Sequence, residues 1–76
     1  MFSVLDTVVL KREVPEAGLC VGDLGAIVEV HDSSHFEVEF VAASGRTQAL
    51  ITLQADDLRH VNDSDLIAVR PLQPVA

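Results

Sequence analysis

The segment between residues 29 and 37 carries the side chains best suited to hold a metal ion. His31 and His35 flank a three-residue turn, and Glu29 and Glu37 lie on either side of them. Across a hairpin, two imidazoles and one carboxylate would come within reach of a single cation. Zinc sites, however, use three or four ligands, usually with a paired spacing that this segment lacks. We therefore predict solvated histidines, with no bound metal and no other cofactor.

Acidic side chains are candidates for general acid–base chemistry. Hydrolysis by a carboxylate pair needs two carboxyl groups in different environments within a cleft, and a chain of 76 residues leaves little room for one. Glu29, Glu37 and Glu39 alternate along predicted strands, which is typical of a solvated acidic face. Asp56 or Asp57 is expected to cap a short turn. Since no Ser-His-Asp or Cys-His motif is present, we predict that the chain is not an enzyme.

Glycines punctuate the loop GLCVGDLG at residues 18–25. A phosphate-binding loop leads into a helix, whereas this loop leads into a strand and lacks a following Lys-Ser/Thr pair. We expect Gly22 and Gly25 to permit a tight turn and a close strand crossing, with Asp23 accepting hydrogen bonds from turn amides. Cys20 is expected to be an inert loop thiol, because no basic residue adjoins it in the sequence.

The charge of the chain argues against nucleic acid as a partner. The formal net charge is −7, with only five basic residues, and these are dispersed along the sequence. Affinity for nucleic acid rests on neutralising phosphates with Lys and Arg, so a basic protein is the better electrostatic match. The single cysteine excludes an intrachain disulfide, and no signal peptide or membrane-spanning apolar run is evident. We therefore expect a cytoplasmic protein that contacts neither nucleic acid nor membrane.

Alternating apolar residues predict five short strands, at residues 7–12, 24–31, 35–42, 46–53 and 58–61. Alternation places Phe36, Val38 and Phe40 on the inner face of the third strand. In the second strand it predicts an inner set of Leu24, Ala26, Val28 and Val30. The pattern stops within residues 54–58, where a 3₁₀ turn is expected. The order predicts an all-β fold, a small SH3-like barrel of about five antiparallel strands with one 3₁₀ turn and a C-terminal apolar tail.

The barrel is predicted to occupy residues 1–61, and the tail residues 62–76. Pro71 and Pro74 exclude a central strand in the tail, which is nevertheless too apolar to stay in solvent. We expect it to pack on the barrel or on a neighbouring subunit.

A few apolar residues are predicted to lie outside the core. Ile27 and Leu50 share the outward parity of Glu29 and Gln48, and Val41 ends its strand. Burying each such side chain in a complex contributes about 1.5–3 kcal/mol, so three of them can anchor an interface. The predicted protein interface comprises Ile27, Glu29, Glu39, Val41 and Leu50, together with the tail residues Leu66, Ile67, Val69 and Leu72.

Several segments resemble a family of small bacterial proteins catalogued as a domain of unknown function. They are LDTVVL at 5–10, GDLG at 22–25 with VEV at 28–30, VEFV at 38–41, and ALITL at 49–53 followed by ADDLR at 55–59. This resemblance implies an SH3-like, single-domain fold and a partner-binding role, with toxin-like proteins among the partners, and it supplies no catalytic residues. Residues 21–30 also resemble the later half of a KOW motif, without the basic residues of a nucleic-acid binder.

These observations favour a non-enzymatic module that binds protein. The partner is either a second copy of the chain, giving a homo-oligomer, or a basic cognate protein, as in an immunity or antitoxin-like role. Two alternatives stay open: a KOW-like module associated with nucleic acid or the ribosome, and an accessory subunit of a larger enzyme.

Overall fold

The computed structural model describes residues 1–72, and it is all-β as predicted. Its strands are β1 Thr7–Leu10, β2 Leu24–Val30, β3 His35–Val41, β4 Thr47–Gln54 and β5 Leu58–His60. A 3₁₀ turn at Ala55–Asp57 follows β4, as expected, and a further one at Pro15–Ala17 lies in the loop after β1. Proline at the first position of that turn supplies the required φ. Within these residues, the structure contains no helix whose length and apolar character would let it cross a membrane.

The five strands form one antiparallel sheet that must coil. The strand order β4-β3-β2-β1-β5 places β4 and β5 at opposite edges, yet only the turn Ala55–Asp57 joins them. In a flat sheet the edges lie about 19 Å apart, which is four inter-strand spacings. The four residue steps from Gln54 to Leu58 span at most about 14 Å. The edges must therefore approach each other, as in the SH3-like barrel that the sequence predicts.

The inner face of the sheet forms a single apolar core. Phe36, Val38 and Phe40 are buried there, which confirms the predicted alternation of β3. Phe2, which is partly buried, packs edge-on against Phe36, with ring centroids 5.4 Å apart. The core comprises Val8, Leu10, Val14, Leu19, Ile27, Phe36, Val38, Phe40, Leu53 and Leu58.

The strand β2 departs from the predicted alternation. Ile27 is fully buried in the core, so its predicted place on an outer interface is wrong. The cause is Gly25, which lies on the inner face where a Cβ atom would come within 2.7 Å of Val38 Cγ1 and 2.8 Å of Phe40 Cε2. Since side chains two residues apart in a strand share a face, Ile27 points inward too. A register shift between Ile27 and Glu29 then returns Glu29 to the outer face, opposite Glu37.

The residues predicted to line the inner face of β2 are not buried. Leu24 and Ala26 lie on the outer face, because Gly25 and Ile27 point inward. Val30 lies beyond the register shift and opposite the buried Phe36, so it is on the inner face, but it is 40% exposed. All four members of the predicted set are exposed or half-buried: Leu24, Ala26, Val28 and Val30.

The predicted turn chemistry is confirmed. Asp23 Oδ2 accepts a hydrogen bond of 2.8 Å from the Cys20 N–H. Asp57 Oδ2 accepts one of 2.9 Å from the Gln54 N–H and so caps the turn that joins β4 to β5. Gly45, in the β3–β4 turn, has a φ of 90°, a conformation that glycine adopts without strain. These contacts span only a few residues each, which is why the sequence revealed them.

Candidate functional site

The strand β1 is buried on both of its faces. Val8 and Leu10 belong to the core, whereas Val9 points to the outer side of the sheet and is still only 5% exposed. The tail, at residues 62–72, crosses this outer face and lines one groove together with Val9. The predicted tail is described only as far as Leu72, and residues 73–76 lie outside the described part of the chain.

The groove between the tail and the sheet has a volume of about 670 Å³. Its apolar lining includes Val9, Leu24 and Val41 from β1, β2 and β3, and the core residue Phe40 borders it as well. Leu66 and Val69, in the outer wall, are 94% and 97% exposed. The tail therefore adds apolar surface beside the groove instead of closing it. The apolar lining comprises Val9, Leu24, Phe40, Val41, Leu66, Ile67, Val69 and Leu72.

Arg70 attaches the tail to the loop that precedes β2. Its guanidinium binds Asp23 through two hydrogen bonds, Nε to Oδ1 at 2.9 Å and Nη2 to Oδ2 at 2.6 Å. Nη2 also donates to the Gly18 carbonyl at 3.0 Å. This hydrogen-bonded fork holds the pKa of Asp23 below its ordinary value and raises that of Arg70. Because two parallel hydrogen bonds join Arg70 to Asp23, they fix the orientation of the guanidinium as well as its distance from the carboxylate, and with it the position of the tail.

A second arginine holds the start of the tail. Arg59, on β5, donates to Asp65 from Nη1 at 2.8 Å and from Nη2 at 3.1 Å. These bonds lower the pKa of Asp65, and the backbone N–H of Asn62 adds to the effect. The tail is thus tied at both ends by ion pairs while its apolar side chains stay exposed.

Replacing Arg70 with alanine is expected to free the tail without unfolding the barrel. Backbone order parameters of residues 66–72, measured by NMR relaxation, should fall, because the fork to Asp23 no longer restrains this segment. The order parameter of Val38, in the core, should not change. Arg46→Ala is the matched control, since Arg46 lies in the exposed β3–β4 turn. Unchanged order parameters of the tail in Arg70→Ala would show that the fork does not hold the tail.

The structure brings together five of the nine predicted interface residues. Val41 lines the groove with all four tail residues: Leu66, Ile67, Val69 and Leu72. Leu50 and Glu39 face outward, as predicted, and the structure places them opposite each other on neighbouring strands. Leu50 is 53% exposed and lies outside the groove, on the edge strand β4. Glu29 is exposed beside Glu37, and only Ile27 is in the core.

Two residues of the groove were missed from the sequence. Val9 stands within the continuous apolar run Val8–Leu10, and such runs are typical of strands covered on both faces. Arg70 is the only lysine or arginine in the sequence after Arg59, which could have indicated an anchor, but its partner Asp23 lies 47 positions away. No local pattern connects the two.

The histidines near the β2–β3 turn do not converge on one point. His31 Nε2 lies 3.1 Å from Glu37 Oε1, and its Nδ1 lies 3.7 Å from Glu29 Oε2. His35 Nδ1 lies 3.0 Å from Asp32 Oδ1 instead. The two imidazoles thus contact different carboxylates, His31 those of Glu37 and Glu29 and His35 that of Asp32. Within residues 1–72, no group of three or more His, Cys, Asp and Glu side chains is arranged to hold a metal ion.

The contact between His31 and Glu37 shifts both pKa values. The hydrogen bond to Glu37, followed by the nearby charge of Glu29, raises the pKa of His31 above 6.5. Hydrogen bonds from Thr52 and His31 lower the pKa of Glu37 below 4.5. The stabilisation from His31 is complete at low pH and is lost as the pH rises through its raised pKa. That from Glu37 is lost as the pH falls through its lowered pKa, so the pair contributes most between pH 4.5 and 6.5.

Glu37→Gln is expected to lower the pKa of His31, because the neutral amide does not favour the imidazolium. Glu29→Gln is the matched control and should lower it less, since Glu29 acts through its charge at a longer distance. An NMR titration of the His31 ring protons measures both shifts. Equal shifts in the two variants, or none in Glu37→Gln, would contradict the hydrogen bond.

The fold and the groove define the class of this protein. It is a small, all-β, barrel-like domain whose outer sheet face carries an apolar groove beside an anchored tail. The chain belongs to the family described as a domain of unknown function, DUF4926, whose profile matches residues 4–60. No curated protein and no solved structure matches the chain. The family match ends before the tail, so it includes the strand residues that line the groove and not its outer wall.

Proposed function

We propose that the chain is a non-enzymatic module that binds another protein in the tail groove, and that the bound segment is apolar and basic. The observation that carries this proposal is the exposed apolar lining of the groove. Soluble monomers rarely leave contiguous apolar surface in water unless it contacts a partner. Here four apolar side chains of the tail and Val41 surround one groove, and all of them are exposed.

The groove is suited to a single segment of chain. Fully burying each of four exposed aliphatic side chains contributes about 1.5–3 kcal/mol, or about 6–12 kcal/mol together. Association itself costs about 4–15 kcal/mol in lost freedom. The balance supports weak to moderate affinity, typical of reversible recognition.

The charge distribution favours a basic partner. Ion pairs within residues 1–72 engage three of the five cationic side chains, namely Arg12, Arg59 and Arg70. Their carboxylate partners are neutralised with them, and the net charge of −7 resides in the other acidic side chains. The resulting negative field attracts a cationic segment and repels a phosphate backbone. It therefore supports a basic protein over the alternative of a nucleic-acid module.

The carboxylates of the groove are poorly suited to catalysis. Asp23 and Asp65 are its acidic side chains, and each is held by an arginine that lowers its pKa. A general acid needs a pKa near the working pH, so a carboxylate with a lowered pKa is a weak proton donor. This supports binding over reaction as the role of the groove.

The proposal is tested with two synthetic peptides of equal length, one alternating leucine with arginine and the other alternating leucine with glutamate. The arginine peptide is expected to shift the amide NMR signals of Leu24, Val41 and Ile67, and added salt should weaken the effect. The glutamate peptide should leave them unchanged. Oligouridylate at low salt serves as the nucleic-acid probe and should not bind.

Matched variants locate the binding site. Val41→Lys places a cation in the groove and should weaken binding of the arginine peptide at least about tenfold, through lost apolar contact and added repulsion. Val28→Lys is the control, because Val28 is also an exposed strand valine but lies outside the groove. Equal effects of the two variants, binding of the glutamate peptide, or binding of oligouridylate alone would each overturn the proposal.

A further inference from the structure

We infer that β4 is a pairing edge for a second copy of this chain, so that two barrels join their sheets antiparallel through β4. This surface is distinct from the tail groove, and the inference does not depend on the proposed function. It rests on the hydrogen-bonding capacity of the edge, on its lack of charge and on a two-fold register in which its outward backbone groups pair with one another.

The strand β4 is an open edge with unused backbone groups. It pairs with β3 on one side and has no strand on the other. The Ala42 N–H donates to the Arg46 carbonyl, so even-numbered residues of β3 direct their backbone groups toward β4. Their partners on β4 are odd-numbered, which turns the N–H and C=O groups of Leu50 and Thr52 outward. Among residues 1–72, no hydrogen bond outside the sheet engages these four groups.

The neighbouring residue shows that this alternation is correct. Gln54 has the same parity as Leu50 and Thr52, and its N–H is bound by the Asp57 carboxylate instead of by β3. The outward donor of Gln54 is therefore satisfied within the chain. Those of Leu50 and Thr52 are left for water or for another strand.

The composition of β4 lacks the usual protection of an edge. Natural edge strands are kept from pairing by lysine, other charges, proline, short length or a β-bulge, and the register shift of β4 lies at Thr47–Ala49, before Leu50 and Thr52. The segment TQALITLQ of β4 is eight residues long and contains no charge and no proline, although the chain as a whole is rich in acidic residues. The opposite edge, β5, has three residues and carries Arg59 and His60. Only one edge of this sheet is thus left open for pairing.

A second copy fits this edge because β4 is self-complementary under a two-fold axis. With Ile51 opposite Ile51 of the other copy, Leu50 lies opposite Thr52 and Thr52 opposite Leu50. Each of these two pairs exchanges two backbone hydrogen bonds, so all the outward groups of Leu50 and Thr52 are used. Leu50, which is 53% exposed, then packs against an uncharged side chain.

The charge of the chain does not prevent this contact. The carboxylates beside Leu50 and Thr52 are Glu39 and Glu37 on β3, so those of one copy lie three strand spacings, or about 14 Å, from those of the other. Asp57 lies at the edge itself, beside Gln54, and its charge is paired with Arg12. That distance exceeds the Debye length of about 8 Å at physiological ionic strength. The self-repulsion of the two acidic chains still acts over the rest of their surfaces, so added salt should strengthen the dimer. Binding of a basic segment in the groove should instead weaken with salt.

Sedimentation equilibrium over a range of protein and salt concentrations tests the inference. The chain is expected to form a dimer that tightens with salt. Thr52→Pro removes the outward N–H without removing a bond to β3, and it should weaken dimerisation at least about tenfold. Thr52→Ala is the matched control, since it also loses the hydroxyl contact with Glu37 but keeps the N–H, and it should dimerise like the parent chain.

A second variant distinguishes loss of dimerisation from loss of folding. Leu50→Lys places one cation on each edge and should also give a monomer, while circular dichroism reports whether each variant is folded. Inter-chain NOEs between Leu50 and Thr52, in a mixture of labelled and unlabelled protein, report the register. A monomer at all concentrations, or a folded Thr52→Pro variant that dimerises as Thr52→Ala does, would overturn the inference without affecting the groove.

Discussion

Replacing Ile27 with alanine is expected to lower the free energy of unfolding by about 2–5 kcal/mol. Ile27 is fully buried, and truncation removes apolar contacts and leaves a cavity beside Val38, its partner on β3. A domain of this size has only a few kcal/mol of net stability, so a substantial fraction of the variant should be unfolded at room temperature. Chemical denaturation followed by circular dichroism measures the change.

Leu50→Ala provides the contrast that makes this result informative. Both residues are large aliphatics on neighbouring parts of the sheet, but Leu50 is half-exposed on the edge strand. Its truncation should change the free energy of unfolding of the monomer by no more than about 0.5 kcal/mol. The measurement is made at concentrations where the chain is monomeric. Comparable losses in the two variants would mean that Ile27 is not a core residue, as the alternation of β2 by itself suggests.

Gly25→Ala is expected to destabilise the fold by about 3 kcal/mol, at the upper end of the usual effect of overpacking. The added methyl group would lie 2.7 Å from Val38 Cγ1 and 2.8 Å from Phe40 Cε2, both on buried side chains. Neither can move away without disturbing the core. The backbone at Gly25 does not have a positive φ, so the cost is steric and not conformational. Thermal and chemical denaturation measure it.

A double-mutant cycle separates this clash from a general effect of losing glycine. Val38→Ala removes one of the two clashing groups, so Gly25→Ala should cost at least about 1 kcal/mol less in that background. Gly45→Ala is the matched control: its φ of 90° makes it costly in any background, but its Cβ has open space around it. Its cost should therefore be the same with and without Val38→Ala. An additive cycle for Gly25 and Val38 would contradict the close crossing.

The parts of the fold that depend on local pattern were predictable. The alternation of Phe36, Val38 and Phe40 gave the correct faces of β3, because a strand repeats every two residues whatever its surroundings. Asp57 caps the turn at the end of β4 by accepting a hydrogen bond from the N–H of Gln54, three residues earlier, so its role could be predicted from a short segment of sequence. Both cases involve forces that act within a few residues of the chain.

Strand alternation did not predict which residues of β2 face the core. Alternation in LGAIVEV favours an inner set of Leu24, Ala26, Val28 and Val30, and this prediction is wrong. The inner face is decided across the sheet, where Val38 and Phe40 leave room for a glycine and for nothing larger. That places Gly25 inward and Ile27 with it, and the register shift then restores Glu29 to solvent. A packing constraint from the neighbouring strand thus overrides the local pattern.

The candidate site also has one part that the sequence predicted and one that it did not. The apolar tail and Val41 were visible as a predicted interface, because exposed aliphatics stand out against an acidic sequence. The groove itself depends on the fork between Arg70 and Asp23, which joins positions 47 residues apart. It also depends on Val9 of β1, which lines the groove together with the tail.

The sequence by itself determined the all-β architecture, the strands, the turns and the acidic character of this protein, since each follows from periodicity, glycine and aspartate chemistry or a sum of charges. The tertiary structure decided which side of β2 is core, which residues line the groove beside Val9, and which edge of the sheet is left open. These outcomes depend on distances between residues far apart in the chain, and such distances exist only once the sheet has coiled and the tail has been fixed by its ion pairs.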